Sequence, residues 1–284
     1  VTIVRFLPLF LLAACNRLGC GTAAPIEAPT DHWRVDVVTY GWSSKLPARA
    51  LHHEPVVDTP TEMAWSVAVL RRGDKVVLVD VGTDVFAGGP LPAGRPDNRS
   101  PKLWQVAWGR KLPTTLGKLG ITTDQVTDVV LTHHHRDHVE GLVHFPTADV
   151  HIHRDALAAL SDDVFAKGSI PSLAARVKGL KGHSKSKHTP LEGVEMALTG
   201  AHSPGHSVVT VDCGETEAIL VGDAAYLLSQ IRDDKPAARH LDETLHRKVL
   251  KRLRDAERDG ATLVVGHDPA LFDNGDLEVV TICE

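Results

Sequence analysis

The chain has 284 residues, of which 43% are hydrophobic, 24% charged and 5% aromatic, and its formal net charge is −5. A polypeptide of that length buries a sizeable core, and no internal repeat divides it. The acidic balance argues against a nucleic-acid partner, because phosphate binding needs a basic face, and the low aromatic content leaves few residues for stacking.

In chain order, a short basic region around Arg5 is followed by an apolar run from Phe6 to Ala14. That run is too short to span a bilayer, which takes about 20 residues. Leu12-Ala13-Ala14-Cys15 resembles a bacterial lipobox. The resemblance implies a lipoprotein signal over 1–14, a lipid on Cys15, a flexible Ala-, Pro- and Gly-rich tether over 15–31, and a folded domain over 32–284. The expected location is the bacterial cell envelope, membrane-attached at Cys15 and facing the periplasm. Asn16 replaces the aspartate usual for inner-membrane retention, which favours the outer membrane. An ordinary secretory leader with a coincidental cysteine is the alternative.

β-Branched runs bounded by turn residues predict strands near 33–39, 64–70, 75–81, 127–131, 149–152, 194–198, 207–212, 217–222, 262–265 and 277–281. Helices are predicted near 101–119, 154–160, 170–180 and 240–258, the last amphipathic, with apolar residues at 241, 245, 249, 250, 253 and 256. Residues 86–101, rich in Gly and Pro and next to Trp104 and Trp108, fit either a lid over a site or a solvent loop. Lys178, Lys181, Lys185 and Lys187, with His183 and His188, form a basic stretch that reads as a solvated loop, with contact to an anionic substrate or headgroup as the alternative. Of the four cysteines, Cys213 and Cys283 fall in the folded part, where they either pair or stay as two buried thiols.

The chemistry concentrates in Thr132-His133-His134-His135-Arg136-Asp137-His138, which follows the apolar run ending at Leu131. In an extended geometry His133 and His135 project to one side and can share a cation, while Asp137 and His138 face a second. Histidine nitrogen and carboxylate oxygen are zinc donors, and two such ions sit about 3.5–4 Å apart. Three further candidates stand past β-branched runs beside Gly or Pro: His206 in His202-Ser-Pro-Gly-His206, Asp223 after Gly222, and His267 after Gly266. No cysteine lies among them.

This order of motifs, HxHxDH, then Pro-Gly-His, Gly-Asp and Gly-His, resembles that of the metallo-β-lactamase superfamily over about residues 32–284. The resemblance implies an α/β fold, an αββα sandwich of two mixed β-sheets flanked by helices, with metals at one edge. It implies two Zn²⁺ ions, or Mn, Fe or Co in the same donors, with His133, His135 and His206 on the first ion, Asp137, His138 and His267 on the second, and Asp223 bridging. Asp80, in Val79-Asp80-Val81-Gly82, would support the site from behind the ligands, although a plain strand-ending turn has the same sequence. The implied reaction is attack of a metal-bridging hydroxide on a carbonyl of a small-molecule substrate.

Asp223-Ala224-Ala225-Tyr226 resembles the corresponding segment of the N-acyl homoserine lactonases. There the tyrosine enters the site, which implies Tyr226 as a donor to the lactone carbonyl or the departing alkoxide. Asp137 and Tyr226 are thus the residues assigned to catalysis, and a lactone or related carboxylic ester is the expected substrate. The alternatives are a β-lactamase, a glyoxalase II-like thioester hydrolase, a mononuclear iron oxygenase and a noncatalytic metal-binding lipoprotein.

Overall fold

The computed structural model describes residues 31–57, 59–85, 106, 108–272 and 279–284. The period of two along each strand distributes its apolar residues between separate cores. In β1 (Arg34–Pro47), β2 (Pro60–Arg72) and β3 (Lys75–Val79), residues Val38, Val67, Val69 and Leu78 face outer helices, whereas Val37, Ala68, Leu70 and Val77 face inward. These strands join β4 (Trp108–Gly109), β5 (Asp128–Val130), β6 (Asp149–His151) and β12 (Val279–Cys283) in a mixed sheet of order β12-β1-β2-β3-β5-β6, with β4 on β1. β3, β5 and β6 run parallel.

The second sheet has the order β11-β10-β9-β8-β7. Its strands are β7 (Lys187–Leu191), β8 (Val194–Leu198), β9 (Ser207–Asp212), β10 (Glu217–Leu220) and β11 (Thr262–Val264). Val209, Val211, Ala218, Leu220 and Val264 meet the first sheet, while Val208, Ile219 and Leu263 turn outward. Helix α6 (Glu243–Arg258) covers that outward face, and α1 (Leu112–Leu116), α2 (Arg136–Val139), α3 (Arg154–Ser161) and α4 (Ala174–Val177) lie on the side of the first sheet. A shorter α5 (Leu228–Arg232) packs beside α6. The layers are therefore the expected αββα sandwich.

Helix α6 starts where Asp242 accepts a hydrogen bond from the Leu245 amide at 2.6 Å, an N-cap typically contributing about 1 kcal/mol. Its buried stripe is Val249, Leu250 and Leu253, each stabilising the layer by roughly 1.5–3 kcal/mol. Leu241 and Leu245 lie on the exposed side, outside the stripe that periodicity assigns to them.

Three further expectations are corrected. Within the predicted helix 101–119, Trp108 and Gly109 instead pair with Trp42 and Gly41, and a single α-turn begins at Leu112 with Pro113 in its first turn. The predicted helix 170–180 is one turn, α4, preceded by a 3₁₀ turn over Pro171–Leu173. The basic stretch is not wholly loop: Lys187 and His188 belong to edge strand β7, where Lys187 pairs with Glu195 at 2.8 Å. The leader, nearly all of the tether and the 86–101 segment lie outside the described residues.

The two sheets are tied covalently. Cys213, just after β9, is disulfide-bonded to Cys283 in β12 across a sequence separation of 70 residues. Closing a loop of that length in the unfolded chain stabilises the fold by roughly 4 kcal/mol. Nearby, the Trp33 indole N–H donates to the Glu192 carbonyl at 2.9 Å, so the two sheets are stitched at the same end by a buried aromatic.

Candidate metal centre

Four connections meet at one edge of the sandwich. β5 leads through Leu131 into His133, and His135, extended at φ −66° and ψ 152°, caps α2, whose first turn carries Asp137 and His138. The β8–β9 connection supplies His202, Gly222 turns the chain into Asp223 past β10, and His267 follows β11. Gly222 sits at φ +53°, and a Cβ there would lie 2.9 Å from the His206 ring, so the turn that delivers Asp223 requires glycine.

Two donor clusters result. His133 Nε2 lies 3.0 Å from His135 Nδ1, and His202 Nε2 lies 3.1 Å from the same atom. Asp223 Oδ2 closes this cluster at 3.6 Å from His133 and 3.3 Å from His202. In the second, Asp137 Oδ2 is 3.1 Å from His138 Nε2 and 3.6 Å from His267 Nε2. Asp223 Oδ1 stands 3.1 Å from both of those nitrogens. One carboxylate thus presents an oxygen to each cluster.

Tetrahedral zinc at about 2.0–2.1 Å from its donors places them about 3.3 Å from one another, and both clusters match that spacing. The proton assignments agree. His133 Nδ1 donates to Thr132 Oγ1 at 3.0 Å, whose own hydrogen is taken by Asp80 at 2.8 Å. His202 Nδ1 donates to the Arg239 carbonyl at 3.0 Å, and His267 Nδ1 to the Ala64 carbonyl at 2.9 Å. His138 Nδ1 donates to Asp80 Oδ2 at 2.7 Å. Each of these Nε2 atoms points inward, and buried His138 Nε2 and Asp223 Oδ1 approach without an aligned hydrogen bond between them. The residues present fit two cations.

Electrostatics point the same way. Burial, reinforced by His138, holds His133 well below the usual imidazole range, and burial pushes His202 down to about 4. Burial also disfavours charge on His138, but Asp137, Asp223 and Asp80 outweigh it and raise that imidazole well above its ordinary value. Burial likewise works against the Asp223 carboxylate, yet His138, His133 and His267 hold it well below the usual range. Metal ligands bind as neutral imidazole and ionised carboxylate. The first cluster is already in that state, and in the second a cation would replace the proton on His138.

The structure brings together His133, His135, Asp137, His138, Asp223 and His267, and it does not bring His206 with them. The first cluster takes His202 instead. His206 is fully buried with both ring nitrogens engaged: Nε2 accepts from the Asp223 amide at 3.1 Å and Nδ1 faces Thr199 Oγ1 at 2.7 Å. It props the turn that carries Asp223. Both histidines flank the same Ser203-Pro204-Gly205 turn, so spacing does not separate them. His206 shares strand parity with Val208, which faces the α6 side, and that parity is the available signal.

Asp80 holds φ +62°, an uncommon left-handed backbone for a residue other than glycine, and its carboxylate binds Thr132 and His138 behind the ligands. His134 turns away, its Nε2 3.8 Å from Asp163 Oδ2.

A cleft of about 550 Å³, open to solvent, adjoins the clusters and is walled by Met63 and Trp65 on β2 and by Tyr226 and Arg239, with Asp137 and Asp223 among the residues lining it. Apart from Tyr226, none of these walls carries a motif readable in sequence. The Tyr226 ring lies 6.2 Å from that of His202 and 5.9 Å from that of His267. Burial, then Asp223, raises its phenol well above the usual value, so it stays protonated at neutral pH.

Comparison with known proteins gives a consistent picture. The family described as Metallo-beta-lactamase superfamily matches residues 61–267. A probable metallo-hydrolase of Mycobacterium bovis is 27% identical over 264 residues, covering 81% of this chain and 80% of its own. An N-acyl homoserine lactonase of Rhizobium radiobacter is 30% identical over 167 residues, covering 55% of this chain and 63% of its own. Among solved structures, a quorum-quenching N-acyl homoserine lactone hydrolase superposes with a TM-score of 0.68 at 18% identity, over 89% of this chain and 100% of its own.

Proposed function

The chain belongs to the metallo-β-lactamase superfamily and is a metallo-hydrolase, and on that footing we propose that it holds two zinc ions and hydrolyses a lactone or related carboxylic ester. The observation that carries the two-ion reading is Asp223, whose two oxygens face separate clusters at 3.1–3.6 Å. Bound there, the cations supply a water acidified toward neutrality and a Lewis acid for the carbonyl oxygen. His133, His135 and His202 hold one ion, Asp137, His138 and His267 the other. Asp80 and the carbonyls of Ala64 and Arg239 fix the imidazole tautomers. The same donors accept manganese, iron or cobalt.

The residues of the cleft perform the rest. Met63 and Trp65 give an apolar wall that excludes water from the ester. Tyr226, kept protonated by burial, donates a hydrogen bond to the developing oxyanion or to the departing alkoxide. Lactone specificity is supported by this placement and by the relatives named lactonase. The test is proton release by zinc-loaded protein offered an acyl homoserine lactone, a simple γ-lactone, a glutathione thioester and a cephalosporin. We expect a lactone to be fastest, and Tyr226→Phe to slow it on the order of 10- to 100-fold with metal content unchanged. Preference for the thioester or cephalosporin would overturn the substrate class, and an unchanged rate would remove Tyr226 from the mechanism.

We further propose that the protein is exported and lipid-anchored at Cys15. The Cys213–Cys283 disulfide supports export, since such bonds persist in oxidising compartments, and the lipobox-like Leu12-Ala13-Ala14-Cys15 supports the anchor. An alkyne fatty-acid label should be incorporated by the full chain and lost in Cys15→Ser; a label retained in that variant discards the anchor.

A further inference from the structure

A second group of donors lies outside the buried centre. We propose that His53, His240 and Glu243 form an additional divalent-cation site of the zinc class, a clip that fastens α6 and the segment before it to the loop after β1. One donor atom from each of the three residues lies within 4.8 Å of the others. His53 Nε2 stands 3.5 Å from Glu243 Oε2, close to the spacing of about 3.3 Å between donors on a tetrahedral zinc ion. The two rings meet edge to face with centroids 4.4 Å apart.

The donors are already oriented. His240 Nδ1 donates to the Ala237 carbonyl at 2.9 Å, which fixes the tautomer and leaves Nε2 as the lone pair, as an outer partner does for a metal-bound imidazole. The Glu243 carboxylate is divided: Oε1 accepts from Arg247 at 2.9 Å, and Oε2 is turned to His53. His53 is held by its backbone, whose amide donates to the Pro236 carbonyl at 3.1 Å, beside the bridge that pairs His52 with Ala237. His246, whose ring lies 5.3 Å from that of His240, is engaged elsewhere, its Nε2 2.6 Å from the Ala224 carbonyl. Three oriented protein donors with an open fourth position for water make a half-exposed site, weaker than a closed four-ligand one.

Its position gives it a consequence. Arg239, next to His240, lines the substrate cleft, and its carbonyl accepts the hydrogen bond that orients His202. An ion clipped between His53 and His240 therefore stiffens the segment that sets one ligand of the buried centre. Binding here needs nothing from the hydrolase reading, because the test reads a difference between chains that share the same buried centre.

The experiment uses the full chain and zinc alone. Wild type, His53→Ala, His240→Ala and Glu243→Gln are dialysed to equilibrium at about 10 µM free zinc, and bound metal is counted by emission spectrometry. Each variant is expected to bind one zinc fewer than wild type, and zinc is expected to raise the melting temperature of wild type further than that of any variant. Equal zinc content in wild type and the variants would show an ordinary His–Glu ion pair and overturn the site, as would a loss confined to His240→Ala. Glu243→Gln, at an exposed position, keeps the test decisive if a histidine variant folds poorly.

Discussion

Asp223→Ala is expected to lose zinc from both clusters together and to reduce ester turnover by more than about 10³-fold. The reason is the division of one carboxylate, Oδ2 lying 3.3 and 3.6 Å from the imidazoles of His202 and His133 and Oδ1 lying 3.1 Å from those of His138 and His267. No other described acidic side chain is shared in this way. Removal also leaves Asp137 as the only carboxylate among the second-cluster donors, where two stood before. Zinc counted per chain after gel filtration, beside the rate on the preferred substrate, checks the expectation. A variant that keeps two tightly held ions would show that Asp223 is no bridge.

The second large effect separates two histidines that sequence treats alike. His202→Ala should release the ion of the first cluster and drop turnover by on the order of 10³-fold, with the fold retained, because its Nε2 lies 3.1 Å from His135 Nδ1, which in turn stands 3.0 Å from His133 Nε2. His206→Ala should instead destabilise the protein by roughly 2–4 kcal/mol, through a buried cavity and an orphaned Asp223 amide, while saturating zinc still fills both clusters. Metal content and denaturant midpoint distinguish the two. Loss of zinc from His206→Ala with His202→Ala unaffected would reverse the assignment.

Much of the fold is legible because its strands are amphipathic in a simple way. Val194–Leu198 and Ser207–Asp212 coincide with the predicted 194–198 and 207–212, since alternating β-branched residues must serve two opposed cores. Other elements depend on partners remote in sequence. Trp108–Gly109 becomes a strand only by pairing with Gly41–Trp42, and no local pattern over 101–119 announces it. Strand β7 hides behind Lys187, His188 and Pro190, residues suited to an edge strand and equally to a loop. Of the seven donor residues that the structure gathers, six are legible in sequence as donors delivered past apolar runs. His202 is not, because which side of a Ser-Pro-Gly turn faces the donor clusters is decided by the Arg239 carbonyl on one side and the Asp223 amide on the other.

The direct test of the central claim is anomalous diffraction at the zinc edge from crystals of the zinc-loaded protein. Two peaks about 3.5–4 Å apart are predicted, one among His133, His135 and His202 and one among Asp137, His138 and His267, with the Asp223 carboxylate between them. A single peak at full zinc occupancy, or a peak bound by His206 in place of His202, would contradict it.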